Sequence, residues 1–277
     1  MIPIEIQDYE TYVISYSGGK DSTATLLWAL ENLPRERLRV MFCDTGAEWP
    51  ETYDYLSYIE RETHLAIERI SNEGESLPPD SSKFRIWSSA PTLLEMVRRH
   101  GKWPSGKIRY CTKYLKMYPL RLHAPSNSVL LFGERRAESK HRASLEKWDI
   151  NGAGFHKSPI FRPILDWSER KVWDYLRSHH ILPNPVYNHA TRCGCWCCIM
   201  APKIQVLNFC RLHPEIAQEA AGLEQEIEHT WRKDQSIGDL LAQAQAQLEL
   251  FGRSPRFECP LENGIGKTEI GNSYSAA

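Results

Sequence analysis

The residues best suited to chemistry form a short polar segment at positions 17–22, Ser-Gly-Gly-Lys-Asp-Ser. An apolar run precedes it and a segment with helical spacing follows it, which predicts a strand, a glycine turn and a helix start. The first N–H groups of a helix lack backbone partners, and the helix dipole favours negative charge there. The glycines let successive amides turn toward one oxyanion, and Lys20 adds a positive charge. The segment therefore predicts a phosphate site, in particular for the pyrophosphate end of a nucleotide.

The spacing excludes the ordinary phosphate-binding loop of many nucleotide hydrolases. That loop needs a glycine five residues before its Gly-Lys-Ser/Thr step, whereas Ile14 occupies the position and Asp21 follows Lys20. A turn followed by a helix cap is the simpler alternative. The apolar strand and the long helix beside the segment favour the anion site.

A second polar segment begins at Asp44, directly after the apolar run Leu-Arg-Val-Met-Phe-Cys. In a doubly wound sheet, ligands lie at the carboxyl ends of the strands, so Asp44 is expected near the glycine turn. Its carboxylate could hold Mg²⁺ bridging phosphates or accept a ribose hydroxyl. A cap on the turn before Gly46 is the alternative.

Charge is uneven along the chain, although the formal net charge is only −1. The stretch 97–133 has no Asp or Glu but holds eight basic residues: Arg98, Arg99, Lys102, Lys107, Arg109, Lys113, Lys116 and Arg121. Such a strip suits nucleotide phosphates or a nucleic-acid backbone, and a solvated face is the alternative.

Four of the eight cysteines fall within six residues, at Cys193, Cys195, Cys197 and Cys198. Thiolates are soft ligands, so the cluster indicates a metal or redox centre rather than a disulfide scaffold. Adjacent cysteines are also poor disulfide partners. Zinc and an iron–sulfur cluster fit the spacing equally well.

Segment 17–22 resembles the PP-loop of the N-type ATP pyrophosphatases, which cleave ATP between the α and β phosphates. Three further segments resemble the phosphoadenosine phosphosulfate reductase-like family of that superfamily, the adenine nucleotide alpha hydrolases. They begin at Asp44 (Asp-Thr-Gly-Ala-Glu-Trp-Pro), at Arg109 (Arg-Tyr-Cys-Thr-Lys-Tyr-Leu-Lys) and at Gly133 (Gly-Glu-Arg-Arg-Ala-Glu-Ser-Lys-His-Arg). The resemblance covers roughly residues 10 to 215.

The resemblance assigns roles to residues of this chain. Catalytic residues would be Lys20, Asp21, Arg135 and Arg142. Nucleotide-binding residues would be Ser17, Gly18, Gly19, Lys20, Asp21, Ser22 and Asp44. Metal ligands would be Cys111, Cys195, Cys198 and Cys210. The implied cofactors are ATP, Mg²⁺ and a 4Fe-4S cluster, with zinc fitting less well. Because Cys210 lies beyond the position expected for a fourth ligand, Cys193 and Cys197 stay open as alternatives.

The intact loop favours ATP pyrophosphatase chemistry over reduction of adenylyl sulfate. The true reductases that the chain resembles carry a nucleophilic cysteine in their tails. Here the residues around Cys259 lack the glycine and histidine of that tail, so a structural role is expected for Cys259. The resemblance implies a sulfur-transfer enzyme that activates a substrate oxygen, and its nearest branch acts in DNA phosphorothioation. Transfer RNA thiolation, an adenylyl sulfate reductase and a non-catalytic nucleotide-binding partner are the alternatives.

That branch also implies partners. A nucleic acid is expected as substrate, DNA before transfer RNA, and a cysteine desulfurase as the sulfur donor. Membership of a modification complex is a further expectation. The N-terminus lacks the pattern of a signal peptide and no run reaches membrane-spanning length, so a cytoplasmic protein without membrane contact is expected.

The elements that must position these residues alternate in the first half. Strands are predicted at 12–16, 38–43, 64–70 and 128–132, and helices at 20–31, 49–62, 91–99 and 112–122. This order predicts a doubly wound, mostly parallel sheet with helices on both faces, and the resemblance implies the Rossmann-like adenine nucleotide alpha hydrolase type. Helices at 167–179, 203–212 and 214–230 then predict a helical C-terminal region carrying the cysteine cluster. Ser168 is the expected cap of the first of these helices, and the aromatic residues of 163–187 are expected to pack in the core. A loop is expected over 72–89 and a frayed end at 264–277. Two domains are expected, 1–190 with the PP-loop and 191–277 with the cysteines.

Overall fold

The computed structural model describes residues 4–72, 90–152 and 158–251. Six strands form one sheet: β1 (Thr11–Tyr16), β2 (Leu38–Cys43), β3 (Ile67–Ile70), β4 (Ser128–Leu131), β5 (Trp148–Asp149) and β6 (Ile160–Phe161). Their order is β3-β2-β1-β4-β6-β5. All neighbours are parallel except β5, which pairs antiparallel with β6. The predicted doubly wound, mostly parallel sheet is confirmed.

Helices flank the sheet and fill the C-terminal part of the described chain. They are α1 (Lys20–Asn32), α2 (Pro50–Thr63), α3 (Leu93–His100), α4 (Tyr110–Thr112), α5 (Tyr118–His123), α6 (Lys140–Ala143), α7 (Glu169–Ser178), α8 (Lys203–Leu212), α9 (Pro214–Glu226) and α10 (Ile237–Phe251). Ser168 caps α7 as predicted, since its hydroxyl accepts a hydrogen bond from the Lys171 N–H at 3.1 Å. The helical C-terminal region is confirmed.

Several predicted boundaries were wrong for local reasons. The third strand starts at Ile67, because His64 takes a left-handed conformation (φ 52°) that ends α2. The helix expected over 112–122 is a chain of short pieces, in which a π-helical turn (Lys113–Met117) joins α4 to α5. The short strands β5 and β6 escaped prediction, because a strand of two residues carries no readable periodicity.

Two large apolar clusters hold the fold together. One packs β1, β2, α1, α2 and α7 around residues such as Ile14, Leu26 and Leu56. The other packs α3 against α8, α9 and α10 and includes Trp49, Trp196 and Phe209. Because Trp196 lies between Cys195 and Cys197, the thiols of the cysteine cluster lie against this second core.

No helix in the described part of the chain is both long and apolar enough to cross a membrane. The predicted loop over 72–89 falls almost wholly outside the described residues, as do Cys259 and the predicted frayed end at 264–277.

Candidate nucleotide and cysteine site

Segment 17–22 forms the turn between β1 and α1. Gly18 has a φ of +71°, a left-handed conformation that favours glycine. The Gly18 position is also crowded, because a Cβ there would lie 3.0 Å from Cγ2 of Thr52. The Ser22 hydroxyl closes the turn by donating to the Gly19 carbonyl at 2.9 Å and accepting from the Ser17 N–H at 3.2 Å. The sequence at this turn therefore builds a defined loop at the start of a helix.

Three charged side chains meet at the loop. The Asp21 carboxylate contacts Nζ of Lys20 at 3.2 Å through one oxygen and Nε of Arg135 at 2.5 Å through the other. Lys20 also contacts Glu169, at the start of α7, at 3.3 Å. The side chains of Lys20 and Arg135 are only 9% and 5% exposed, so their charges depend on these carboxylates. Three predicted catalytic residues are thus brought together.

Arg142, the fourth predicted catalytic residue, lies in a separate ion-pair group. It pairs with Glu138 and contacts Glu134 at 3.7 Å. The buried Arg162 also pairs with Glu134, at 2.7 Å, so two guanidinium groups share one carboxylate. Arg142 keeps 36% of its side chain exposed, which leaves it accessible to an anionic ligand.

The strand end at Gly133 touches the loop from the other side. A Cβ at this position would lie 2.7 Å from the Asp21 carbonyl oxygen and 2.9 Å from the Ser22 nitrogen. Contacts of that length do not occur between real Cβ atoms and backbone, so only glycine fits. The close approach brings Arg135, two residues later, to Asp21.

Two loop contacts come from residues that sequence reasoning missed. Asn184 donates its side-chain amide to the Gly18 carbonyl at 3.0 Å, and the Tyr187 hydroxyl accepts from the Lys20 N–H at 2.9 Å. The aromatic residues of this region were predicted to serve core packing. The Pro-Asn-Pro sequence was the available signal for Asn184, because the two flanking prolines restrict the backbone there.

Asp44 lies at the end of β2, as predicted, and is part of a turn. Its Oδ1 accepts hydrogen bonds from the Gly46 N–H and the Tyr53 hydroxyl, both at 2.8 Å. Burial and the Asp44 carboxylate raise the pKa of Tyr53. The turn-capping role considered for Asp44 is therefore present, and its nucleotide role stays a prediction.

The turn after Asp44 is tied to the cysteine cluster. Thr45 lies 3.3 Å from the Cys195 sulfur, and the buried Glu48 lies 3.6 Å from it. The Trp196 N–H donates to the Ala47 carbonyl at 2.9 Å. The second predicted nucleotide segment and the cysteines are thus neighbours in space.

Lys116 places a positive charge beside these thiols. Its Nζ lies 3.8 Å from Glu48, and its pKa is raised, first by Cys195 and then, after the opposing effect of burial, by Glu48. Burial raises the pKa of Cys195 to about 12, with Glu48 adding to the shift. The Cys195 thiol therefore stays protonated at neutral pH, and a metal would have to displace its proton.

One predicted metal ligand, Cys198, lies within electrostatic range of two others. Burial is the main cause that raises the pKa of Cys111 and Cys195, and the Cys198 sulfur makes a smaller upward contribution to each. Burial also raises the pKa of Cys197, with Cys195 and Cys198 adding to the shift. The fourth predicted ligand, Cys210, is fully buried on α8. Burial raises the pKa of its thiol, and the Glu224 carboxylate adds to the shift.

The cysteine region suits a soft metal by its donor atoms but is not closed around one. Among the residues that the structure describes, no three His, Cys, Asp or Glu side chains are gathered so that they could hold a metal ion. The ligand set therefore stays a prediction, as does the choice among Cys210, Cys197 and Cys193 for its fourth member.

Comparison with known proteins places these features in a family. The model of the family described as "Phosphoadenosine phosphosulfate reductase domain" matches residues 11–201, which include the PP-loop, Arg135 and the cysteine cluster. An uncharacterised 37.8 kDa protein of Escherichia phage 186 is 31% identical over 75% of this chain and 73% of its own length. An adenosine 5'-phosphosulfate reductase of Allochromatium vinosum is 28% identical over 66% of each chain.

Some relatives are much longer than this chain, and the solved structures share little sequence identity with it. The chain spans 35% of an uncharacterised protein of Methanocaldococcus jannaschii that is 32% identical to it. The crystal structure of a phosphoadenylyl-sulfate reductase from Candida auris gives a TM-score of 0.49 at 16% identity, covering 69% of this chain and 84% of that one. On the family match over residues 11–201, the chain belongs to the phosphoadenosine phosphosulfate reductase domain family.

Proposed function

We propose that this protein cleaves ATP between the α and β phosphates and uses the adenylate to activate a substrate oxygen for sulfur incorporation. The observation that carries the proposal is the loop itself, where the buried Lys20 lies at a helix start between the carboxylates of Asp21 and Glu169. A cation in that place can follow negative charge as it develops on a leaving pyrophosphate.

The proposed reaction has two steps. A substrate oxygen attacks the α-phosphorus, the bond to the β-phosphate breaks, and pyrophosphate leaves. A hydrosulfide equivalent then takes the place of the adenylated oxygen, and AMP leaves with that oxygen. Lys20 and the loop amides would bind the β and γ phosphates, while Asp21 keeps Lys20 and Arg135 in place. Mg²⁺, when bound, would neutralise phosphate charge, and Asp44 is the residue proposed to hold it.

The cysteine region would handle the sulfur in the proposed reaction. Cys111, Cys195 and Cys198, with Cys210 as the fourth ligand, would hold a 4Fe-4S cluster, and such a cluster would bind or organise sulfur when present. Lys116 balances the negative charge that these sulfurs gain on deprotonation. A cysteine desulfurase is the proposed class of sulfur donor.

The proposed acceptor is the DNA backbone, with transfer RNA as the second possibility. Three residues of the basic strip, Lys102, Lys107 and Arg109, are exposed between α3 and α4. Others are already neutralised, since Arg98 pairs with Glu95 and Glu226 and Arg99 with Glu95. The exposed cations support polyanion binding, whose strength should fall as salt rises.

The test is to purify the protein anaerobically and to offer it either ATP with DNA and a sulfide source or an adenylyl sulfate with a dithiol reductant. Pyrophosphate from ATP is the expected product, and Lys20→Ala should lower its rate by about 10²- to 10³-fold. Lys171→Ala, which removes an exposed lysine in the first turn of α7, is the control and should leave the rate within about twofold.

A reductase is the second candidate, because the Allochromatium vinosum relative carries that name. Sulfite from an adenylyl sulfate, without pyrophosphate from ATP, would establish it and overturn the first proposal.

A further inference from the structure

A short turn from another part of the chain holds the nucleotide loop. Asn184 and Tyr187 belong to the segment that follows α7, more than 160 residues after the loop they contact. Asn184 is 1% exposed, and it uses both ends of its amide. Its nitrogen donates to the Gly18 carbonyl at 3.0 Å, while its oxygen accepts from the Val186 N–H at 3.0 Å. The amide therefore fixes the left-handed turn of the loop.

Tyr187 holds the next part of the loop. Its hydroxyl accepts from the Lys20 N–H at 2.9 Å, which is one of the helix-start donors that have no partner within the helix. The Tyr187 ring packs edge-to-face against Trp173 of α7, with ring centroids 5.2 Å apart, and leaves the side chain 6% exposed. The hydroxyl cannot move far from Lys20 without disturbing this packing.

The same side chain reaches the cysteine cluster. Tyr187 packs against Cys193. A Cβ on Gly19 would lie 3.5 Å from both the Tyr187 hydroxyl and Cβ of Cys193. Loop, tyrosine and cysteine thus form one packed group.

We propose that Tyr187 is a positioning residue that orients the Lys20 backbone for nucleotide binding and joins the loop to Cys193, with Asn184 fixing the adjoining turn. This inference rests on the proposed function only in taking a nucleotide as the ligand of the loop. Removal of the hydroxyl leaves the Lys20 N–H without its acceptor and opens space between Gly19 and Cys193. The loop then loses its fixed geometry, and the Cys193 side chain becomes more accessible.

The experiment compares Tyr187→Phe with the wild-type protein in two assays that need no turnover. Calorimetry with Mg²⁺–ATP should show about three- to tenfold weaker binding, the usual net effect of one hydrogen bond. Iodoacetamide labelling of the ligand-free protein, read by mass spectrometry, should show Cys193 modified several-fold faster. Tyr12→Phe is the matched control, because Tyr12 is also buried and its hydroxyl bonds the Ile6 carbonyl. It should change neither result.

Asn184→Ala separates the two roles and serves also if Tyr187→Phe fails to fold. It should weaken ATP binding several-fold while Cys193 labelling stays near the wild-type rate. Unchanged binding and unchanged labelling in Tyr187→Phe would overturn the inference. A wild-type protein that binds ATP without releasing pyrophosphate would contradict the proposed function alone, since both assays here precede chemistry.

Discussion

The nucleotide loop and the cysteine cluster lie side by side but are stabilised in opposite ways. At the loop, Lys20 and Arg135 have carboxylate partners within 3.3 Å, and backbone donors have acceptors. In the cysteine cluster, thiols lie against an apolar core, and burial raises the pKa of Cys193 and Cys195 to about 12. The chain alone therefore forms the loop. The buried thiols of Cys193 and Cys195, in contrast, ionise only when a bound metal or cluster displaces their protons.

The largest effect is expected from Asp21→Asn, which breaks the charge network of the loop. The amide leaves the buried Arg135 without a negative partner and Lys20 with Glu169 alone, and an uncompensated buried charge costs about 3 kcal/mol or more. Because the Asp21 side chain keeps 17% exposure, the lower end of that range is expected. The free energy of unfolding from urea titration measures the loss, and pyrophosphate release should fall with it.

Asp166→Asn is the control for this change. Asp166 pairs with Arg136 at 2.8 Å but is 57% exposed, so its loss should cost about 1 kcal/mol or less. Equal destabilisation by the two variants would show that the Asp21 network is an ordinary surface pair.

The next largest effect is expected on the metal content of the cysteine cluster. Cys198→Ser should abolish most of the iron bound after anaerobic reconstitution, because Cys198 is a proposed ligand whose sulfur contributes to the raised pKa of both Cys111 and Cys195. Nucleotide binding should persist, since the loop is built without the cluster. Iron analysis and the visible absorption spectrum are the measurements.

Variants Cys210→Ser and Cys197→Ser resolve the fourth ligand in the same assay. Loss of iron in the first supports the proposed ligand set, while loss in the second alone transfers the role to Cys197. Full iron content in Cys198→Ser would contradict the cluster proposal.

A smaller effect is expected where β4 approaches the loop. Gly133→Ala should destabilise the protein by about 1–3 kcal/mol, since its Cβ would lie 2.7 Å from the Asp21 carbonyl oxygen. Gly106→Ala is the control, because no atom lies within 4 Å of a Cβ there. Thermal unfolding of both variants measures the difference. A Gly133→Ala protein as stable as the control would mean that the close contact is not maintained.

The two regions also differ in what the sequence could predict. The bounds of β2 and α8 follow from local pattern, and the loop follows from glycines placed between strand and helix. Asn184 and Tyr187 could not be placed on the loop, because no local pattern reports a contact between residues so far apart in the chain. The same holds for Glu48, whose burial against Cys195 and Lys116 depends on tertiary packing.

Identification of the nucleotide product tests the central claim most directly. The purified protein, kept anaerobic, is incubated with Mg²⁺–ATP, DNA and a sulfide source, and the products are separated by ion-exchange chromatography. Cleavage between the α and β phosphates predicts AMP and pyrophosphate in equal amounts, with both greatly reduced in Lys20→Ala. ADP with inorganic phosphate, or no ATP consumption beside sulfite release from an adenylyl sulfate, would contradict the account.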